Sequence, residues 1–241
     1  MALIRTLLAY FTMVVVTVVV GTPYMILCAV PAFRRRGFEL FSWMWAKGIC
    51  GAAGVRIETS GLENIDPGRP VVFIGNHQSV FDIFAMIIAL RPFHYRFTPK
   101  RELKKFPMVG WALVLTGFPF IDRRNTGRSR EVMAALGERM RRTSLKVIFF
   151  PEGTRNKGKG LLPFKKGAFV MAIQLGIPVV PFVINGARAV KGRKDFLVRA
   201  GTIRVEFLPP IETGNMTYGD RDVLSDRARS AILANLEAAE R

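Results

Sequence analysis

The stretch Lys146-Val147-Ile148-Phe149-Phe150 is an unbroken β-prone run, and Pro151-Glu152-Gly153-Thr154-Arg155 closes it in a turn. A strand without polar alternation is covered on both faces, the mark of a parallel sheet lying between helices. Working outward, Val55–Thr59, Val71–Ile74, Phe118–Ile121, Val179–Ile184 and Ile203–Phe207 read as further strands. Residues 80–90, 128–142, 166–175 and 221–239 read as helices by length and apolar spacing. Such alternation predicts an α/β architecture around a mostly parallel sheet flanked by helices. Loops beyond the strand C-terminal ends are where such folds gather their sites. Three suspicious segments stand there: Asn76–Asp82, Asp122–Arg124 and Pro151–Arg155.

The N-terminal part is different. From Thr6 to Phe33 there are 28 positions without a charge, interrupted at Gly21-Thr22-Pro23 and followed by Arg34-Arg35-Arg36. Pro23 lacks a helical donor and biases Thr22 away from helix, so a break is expected there. An amphipathic stretch from Phe38 to Ala53 follows, with Trp43 and Trp45 suited to a lipid–water boundary. A kinked transmembrane helix and a hairpin in one leaflet both remain open. A cleaved signal peptide fits poorly, because the run is too long and the arginine triplet follows directly. The expected division is therefore a membrane-associated helical anchor over 1–53 and an α/β domain over 54–241.

Charge narrows the partners. The chain has 241 residues and a formal charge of +18, and residues 91–166 alone hold 19 basic against 5 acidic side chains. That middle segment is a field for an anion. Cys28 and Cys50 form neither a metal-ligand spacing nor a disulfide framework, and two histidines cannot build a His-rich metal site. Gly153–Lys159 has the G-x-x-x-x-G-K spacing of a phosphate loop. However, Gly160 follows it, without the hydroxyl that a nucleotide-bound magnesium needs.

Asn76-His77-Gln78-Ser79-Val80-Phe81-Asp82 sets a histidine five residues before a carboxylate. On one regular helix these side chains would point roughly 140° apart. They meet only if His77 sits in the turn and Asp82 in the first helical turn. The carboxylate would then fix the ring tautomer and leave the other nitrogen to take a proton. Taken alone, the pattern is more often that of a loop histidine before a helix start. Arg155 can grip phosphate with its planar fork, Arg123 is a second candidate, and Lys100 could reach an anion from a short helix. Each has a solvated surface reading as well.

In order, N-H-x-x-x-x-D, Gly117-Phe118-Pro119-Phe120-Ile121-Asp122-Arg123, Phe149-Phe150-Pro151-Glu152-Gly153-Thr154-Arg155, and Ile177-Pro178-Val179-Val180-Pro181 resemble the glycerolipid acyltransferase family. The resemblance runs over roughly residues 45–210. It implies a catalytic pair His77 and Asp82, and acceptor-phosphate binding by Arg123, Glu152, Gly153, Thr154 and Arg155, with Lys100 nearby. It further implies acyl transfer from a thioester to the hydroxyl of a lysophospholipid, with lysophosphatidic acid the expected acceptor. A lyso-aminolipid acceptor and a non-catalytic basic membrane or nucleic-acid binder are the alternatives, though neither a nucleic-acid partner nor a metal is expected. The donor would be coenzyme A or acyl carrier protein thioester, a substrate and not a cofactor. Lacking a G-x-S-x-G elbow, the chain is expected to work without an acyl-enzyme, with backbone N–H groups near Gly153 as candidate oxyanion donors. Anionic lipids, the cell membrane and a cytoplasmic-facing site complete the expectation.

Overall fold

The computed structural model describes residues 1–27, 30–120 and 126–238. Six strands form one sheet: β1 (Val55–Ser60), β2 (Val71–Gly75), β3 (Tyr95–Phe97), β4 (Lys146–Phe149), β5 (Val179–Asn185) and β6 (Gly201–Phe207). Their order is β1-β6-β5-β2-β4-β3, and every pairing is parallel except β5 with β6.

The apolar runs behave as two-faced strands must. In β2, Val71 and Phe73 enter one core while Val72 and Ile74 enter the other. The first core is closed by α3 (Pro31–Ala53), α4 (Phe81–Ala89) and the short α8 (Ala187–Val190). The second is closed by α6 (Thr126–Thr143), α7 (Gly167–Leu175) and α9 (Arg221–Asn235). The sheet is thus the middle layer, and the central strands β2, β4 and β5 are buried along their whole length. At Gly75 the Phe182 ring comes so close that a Cβ would lie 2.2 Å from it. The last residue of β2 is therefore held against β5 in a way only glycine allows.

Phe118–Phe120 is not a strand, and Ile121 lies outside the described residues. Phe118 and Phe120 instead bury their rings in a third cluster with Tyr24 and Phe38. The edge position is taken by Tyr95–Phe97, too short to announce itself and carrying the buried Arg96. A short helix, α5 (Val109–Leu115), follows a 3-10 turn over Arg101–Lys105.

The expected break at Gly21-Pro23 is nearly absent. Helix α1 (Ala2–Val19) is followed after one residue by α2 (Gly21–Leu27), with the Tyr24 N–H donating to the Val20 carbonyl at 3.2 Å. Pro23 stands in the first turn of α2, where a missing N–H costs little. Over Ala2–Leu27 the chain is long and apolar enough to cross a membrane by length and composition. Arg34–Arg36, placed by the sequence beyond the apolar segment, lie inside α3.

Helices α1 and α2 run antiparallel to α3. Trp45 Nε1 donates to Thr17 Oγ1 at 2.9 Å, and the Tyr24 and Phe41 rings stack at 5.3 Å. The hairpin also lies along the α/β domain from end to end. Val198 N–H donates to Thr6 Oγ1 at 2.8 Å, Trp45 meets Phe84 edge-on at 5.1 Å, and Phe38 meets Phe118 at 5.0 Å.

Candidate active site

The β2–β4 register pairs Ile74 with Phe149. As the two strands are parallel neighbours, the loops after them emerge side by side on one edge. One carries Asn76–Val80 and the other Phe150–Arg155; Arg123, from the third suspected loop, lies outside the described residues.

Asn76 anchors the first loop. Its side chain both donates to the Ile184 carbonyl and accepts the Ile184 N–H, each at 2.8 Å. His77 follows in the turn and Asp82 in the first turn of α4, where the helix dipole favours an acid. Their side chains meet: His77 Nδ1 lies 2.7 Å from Asp82 Oδ2. The same oxygen accepts the Gln78 and Ser79 N–H groups at 2.7 and 2.8 Å. A carboxylate oxygen that only accepts requires the proton on Nδ1, so Nε2 carries the lone pair. The ring is further fixed by stacking on Phe150, with centroids 4.1 Å apart. Asp82 is buried, while His77 keeps partial access.

Ser79 has no part in a nucleophilic triad. Its hydroxyl donates to the Lys191 carbonyl at 2.6 Å and accepts the Phe81 N–H at 3.1 Å. It ties the His77 loop to the segment after α8.

Glu152 stands apart from the phosphate role. It is buried, its Oε1 accepts the His77 N–H at 2.8 Å and its Oε2 the Leu162 N–H at 3.0 Å. Both oxygens are engaged with backbone donors, and a carboxylate would repel a phosphate in any case, so it acts as a strut between the two loops. Burial pushes its carboxyl up to about 7 against the pull of those N–H bonds. The Asn156 N–H donates to the His77 carbonyl at 2.7 Å, a second tie between the loops. Gly153 adopts φ +72°, and its N–H donates to the Phe150 carbonyl at 3.0 Å. That amide is engaged in its own turn and not offered to an oxyanion.

A cavity of about 480 Å³ opens beside the pair. Its polar lining includes His77, Lys100, Thr154, Arg155 and Arg193, with the Gly153 backbone beside them. Its apolar lining comes from the hairpin (Tyr24, Met25, Phe38, Phe41, Trp45), from Val80, Ile83 and Ile87, and from Met108, Val109, Ala112 and Leu113. A cavity lined by cationic groups and by a larger apolar surface suits an amphiphile with an anionic head. Arg193 was not singled out by the sequence; Nη1 donates to the Arg155 carbonyl at 2.8 Å. Only the basic run Lys191-Gly192-Arg193-Lys194 hinted at it, and such runs are usually solvated loops.

With this geometry in hand, the comparisons decide the family. The acyltransferase family model matches residues 56–185, which covers both loops of the pair and the strands β2 to β5. The chain belongs to the acyltransferase family.

Relatives of this family member include the 1-acyl-sn-glycerol-3-phosphate acyltransferase alpha of Ovis aries. It is 37% identical over 180 residues, which cover 75% of this chain and 62% of the relative. The human beta enzyme is 38% identical over 179 residues (74% and 64%), and the Saccharomyces cerevisiae enzyme 33% over 186 (76% and 61%). The chain thus spans somewhat less than two thirds of the length of these relatives. Among solved structures, the 1-acyl-sn-glycerophosphate (LPA) acyltransferase PlsC of Thermotoga maritima superposes with a TM-score of 0.81 at 23% identity. The match covers 97% of this chain and 93% of that one, and establishes a shared fold for this acyltransferase, hairpin included.

Proposed function

We propose that the chain transfers a fatty acyl group from a thioester to the sn-2 hydroxyl of 1-acyl-glycerol-3-phosphate, giving phosphatidic acid. The observation that carries the reading is the His77 Nδ1–Asp82 Oδ2 contact of 2.7 Å beside a cavity lined by apolar side chains and by Lys100, Arg155 and Arg193. His77 Nε2 takes the proton of the acceptor hydroxyl as its oxygen attacks the thioester carbonyl carbon. Asp82 stabilises the imidazolium that forms. Collapse of the tetrahedral intermediate breaks the C–S bond, and the imidazolium returns its proton to the departing thiolate. The ester and the free thiol are the products, and the ring ends neutral.

Lys100 and Arg155 are the groups available at the cavity for the acceptor phosphate, with Arg193 holding the Arg155 backbone. Arg123 belongs to this proposal by resemblance alone. The hairpin and α5 side of the cavity suits acyl chains. A thioester is already activated, so the proposed step calls on no metal or cofactor. Either coenzyme A or acyl carrier protein could present the donor.

The site works on a bilayer substrate, and the hairpin is the proposed attachment to the cytoplasmic face of the cell membrane, on anionic lipids. A hairpin packed to the domain at Thr6, Trp45 and Phe38 could not cross a bilayer upright without drawing the domain in with it. This favours insertion in one leaflet. The decisive assay uses purified protein in detergent, lysophosphatidic acid and each thioester in turn. Formation of phosphatidic acid that is lost in His77→Ala supports the reading; equal use of an aminolipid acceptor, or no transfer at all, overturns it.

A further inference from the structure

We infer that α5, with Phe106 just before it, forms a second membrane-embedded element, seated in the same anionic leaflet as the hairpin. From Phe106 to Phe120 the chain carries no charge, yet it is not simply core. Phe106, Val109, Trp111, Val114 and Leu115 are 59%, 38%, 54%, 49% and 40% exposed. Five large apolar side chains within ten residues are more than the scattered surface apolars of a soluble domain.

The opposite face of the same helix is well packed. Gly110 and Ala112 are buried, and a Cβ at Gly110 would lie 2.3 Å from the Leu103 carbonyl oxygen, so α5 is pressed onto the turn beneath it. Val109, Ala112 and Leu113 line the cavity. The helix is therefore a thin wall between the cavity and the exposed apolar row, with Val109 at its edge reaching both.

What covers that row is indicated by its neighbours. Met108 reaches to 3.4 Å of a Cβ built at Gly21, and Ala112 shares a buried cluster with Tyr24 and Phe38. So α5 sits against the tip of the hairpin, where Ile26 and Leu27 are also exposed. Just before the row, Lys104 and Lys105 are exposed. Apolar side chains with a tryptophan, bordered by lysines, match the acyl, interface and headgroup levels of an anionic leaflet in turn. A soluble acidic partner would suit the lysines but leave the apolar row without a counterpart.

The inference rests on the hairpin attachment proposed above, and the test separates the two. An environment-sensitive fluorophore is placed in a Cys28→Ser, Cys50→Ala background at Val114→Cys, at Leu7→Cys in the hairpin, and at Val223→Cys on α9. Full-length protein is then reconstituted on phosphatidylcholine vesicles with and without phosphatidylglycerol. Expected are a blue-shifted emission and quenching by nitroxide-labelled lipid at 114 as at 7, with 223 open to aqueous iodide. If 114 behaves like 223 while 7 is embedded, the inference fails and the hairpin attachment stands; if 7 is also open, both fail. Protection of 114 by acyl carrier protein in the absence of vesicles would make the surface a protein dock and overturn the inference. A second variant pair, Trp111→Ser with Val114→Ser, should lower membrane partition at this element about tenfold, as the loss of apolar burial implies. Transfer on vesicles should fall with it and transfer in detergent should not. Equal losses in both would mark α5 as a structural wall only.

Discussion

The Glu152 Oε1 atom accepts the backbone N–H of His77 at 2.8 Å, while Oε2 accepts that of Leu162. The loop carrying the candidate base is therefore held by a carboxyl that touches no cavity surface. Its value is pushed up to about 7 by burial, above an ordinary value of 4.5. Between those limits the folded chain keeps a proton that the unfolded chain has released. Stability accordingly falls as pH rises from about 4.5 to about 7, by at most about 3 kcal/mol, and the penalty is complete above that window. Denaturant midpoints across this range should show the decline, and Glu152→Gln should flatten it. The amide cannot accept with both ends, so one N–H loses its partner and about 1–3 kcal/mol is lost throughout. An unaltered slope in the variant would assign the decline to another group.

The pair itself gives the sharpest kinetic expectation. His77→Ala should reduce turnover by 10²–10⁴-fold, the usual contribution of a general base. Asp82→Asn should come close to it, because an amide oxygen in the same place lacks the negative charge that stabilises the imidazolium. The other histidine is a built-in control. His94 is depressed to about 4, by burial first and then by Arg96 and Arg35, so it is neutral at working pH and it does not line the cavity. His94→Asn should leave the pH profile of turnover unmoved. A His77→Ala chain keeping more than about a tenth of the rate would end the general-base assignment.

Arg155 and Arg193 separate head-group recognition from chemistry. Arg155→Lys should raise the KM for the phosphorylated acceptor more than that for the thioester, since a point charge cannot replace a planar fork. Arg193→Ala should act in the same direction and more weakly, by loosening the backbone of Arg155 through the lost 2.8 Å bond. Arg193→Lys, with no fork, should not rescue it fully. Equal damage to donor and acceptor constants would refute a head-group role for either residue.

Much of this is legible in the sequence, for reasons specific to each element. Lys146–Phe149 and Val179–Asn185 are central strands with no solvent face, so hydrophobicity alone marked them. His77 and Asp82 were readable as a pair only through the turn-plus-first-turn geometry, which the Asn76 anchor and α4 provide. Phe118–Phe120 misled because aromatic runs mark burial, not ladders, and its partner is the hairpin. The Gly21-Pro23 break misled because a proline in a first turn is compatible with helix. Arg193 and the strut role of Glu152 depend on contacts between segments distant in sequence, which spacing cannot encode.

The hairpin makes the last expectation concrete. With α1 and α2 folded back along α3 and both held to the domain, Leu3 lies near the Thr6–Val198 end and Arg36 near the Tyr24–Phe38 end. A one-leaflet insertion leaves both positions on the cytoplasmic side or at its interface, whereas a crossing separates them. In a Cys28→Ser, Cys50→Ala background, Leu3→Cys and Arg36→Cys should therefore label from the same side in sealed vesicles. Labelling from opposite sides would refute the one-leaflet reading. Removing residues 1–27 should do more than release the protein from lipid. Thr17, Gly21, Tyr24 and Met25 form part of the cavity wall, and their loss uncovers α3 as well. Transfer should thus fall in detergent too, with turnover on long-chain acyl groups suffering more than on short ones. A truncated chain that keeps full activity on dispersed long-chain substrate would show that the hairpin is an anchor and no part of the site.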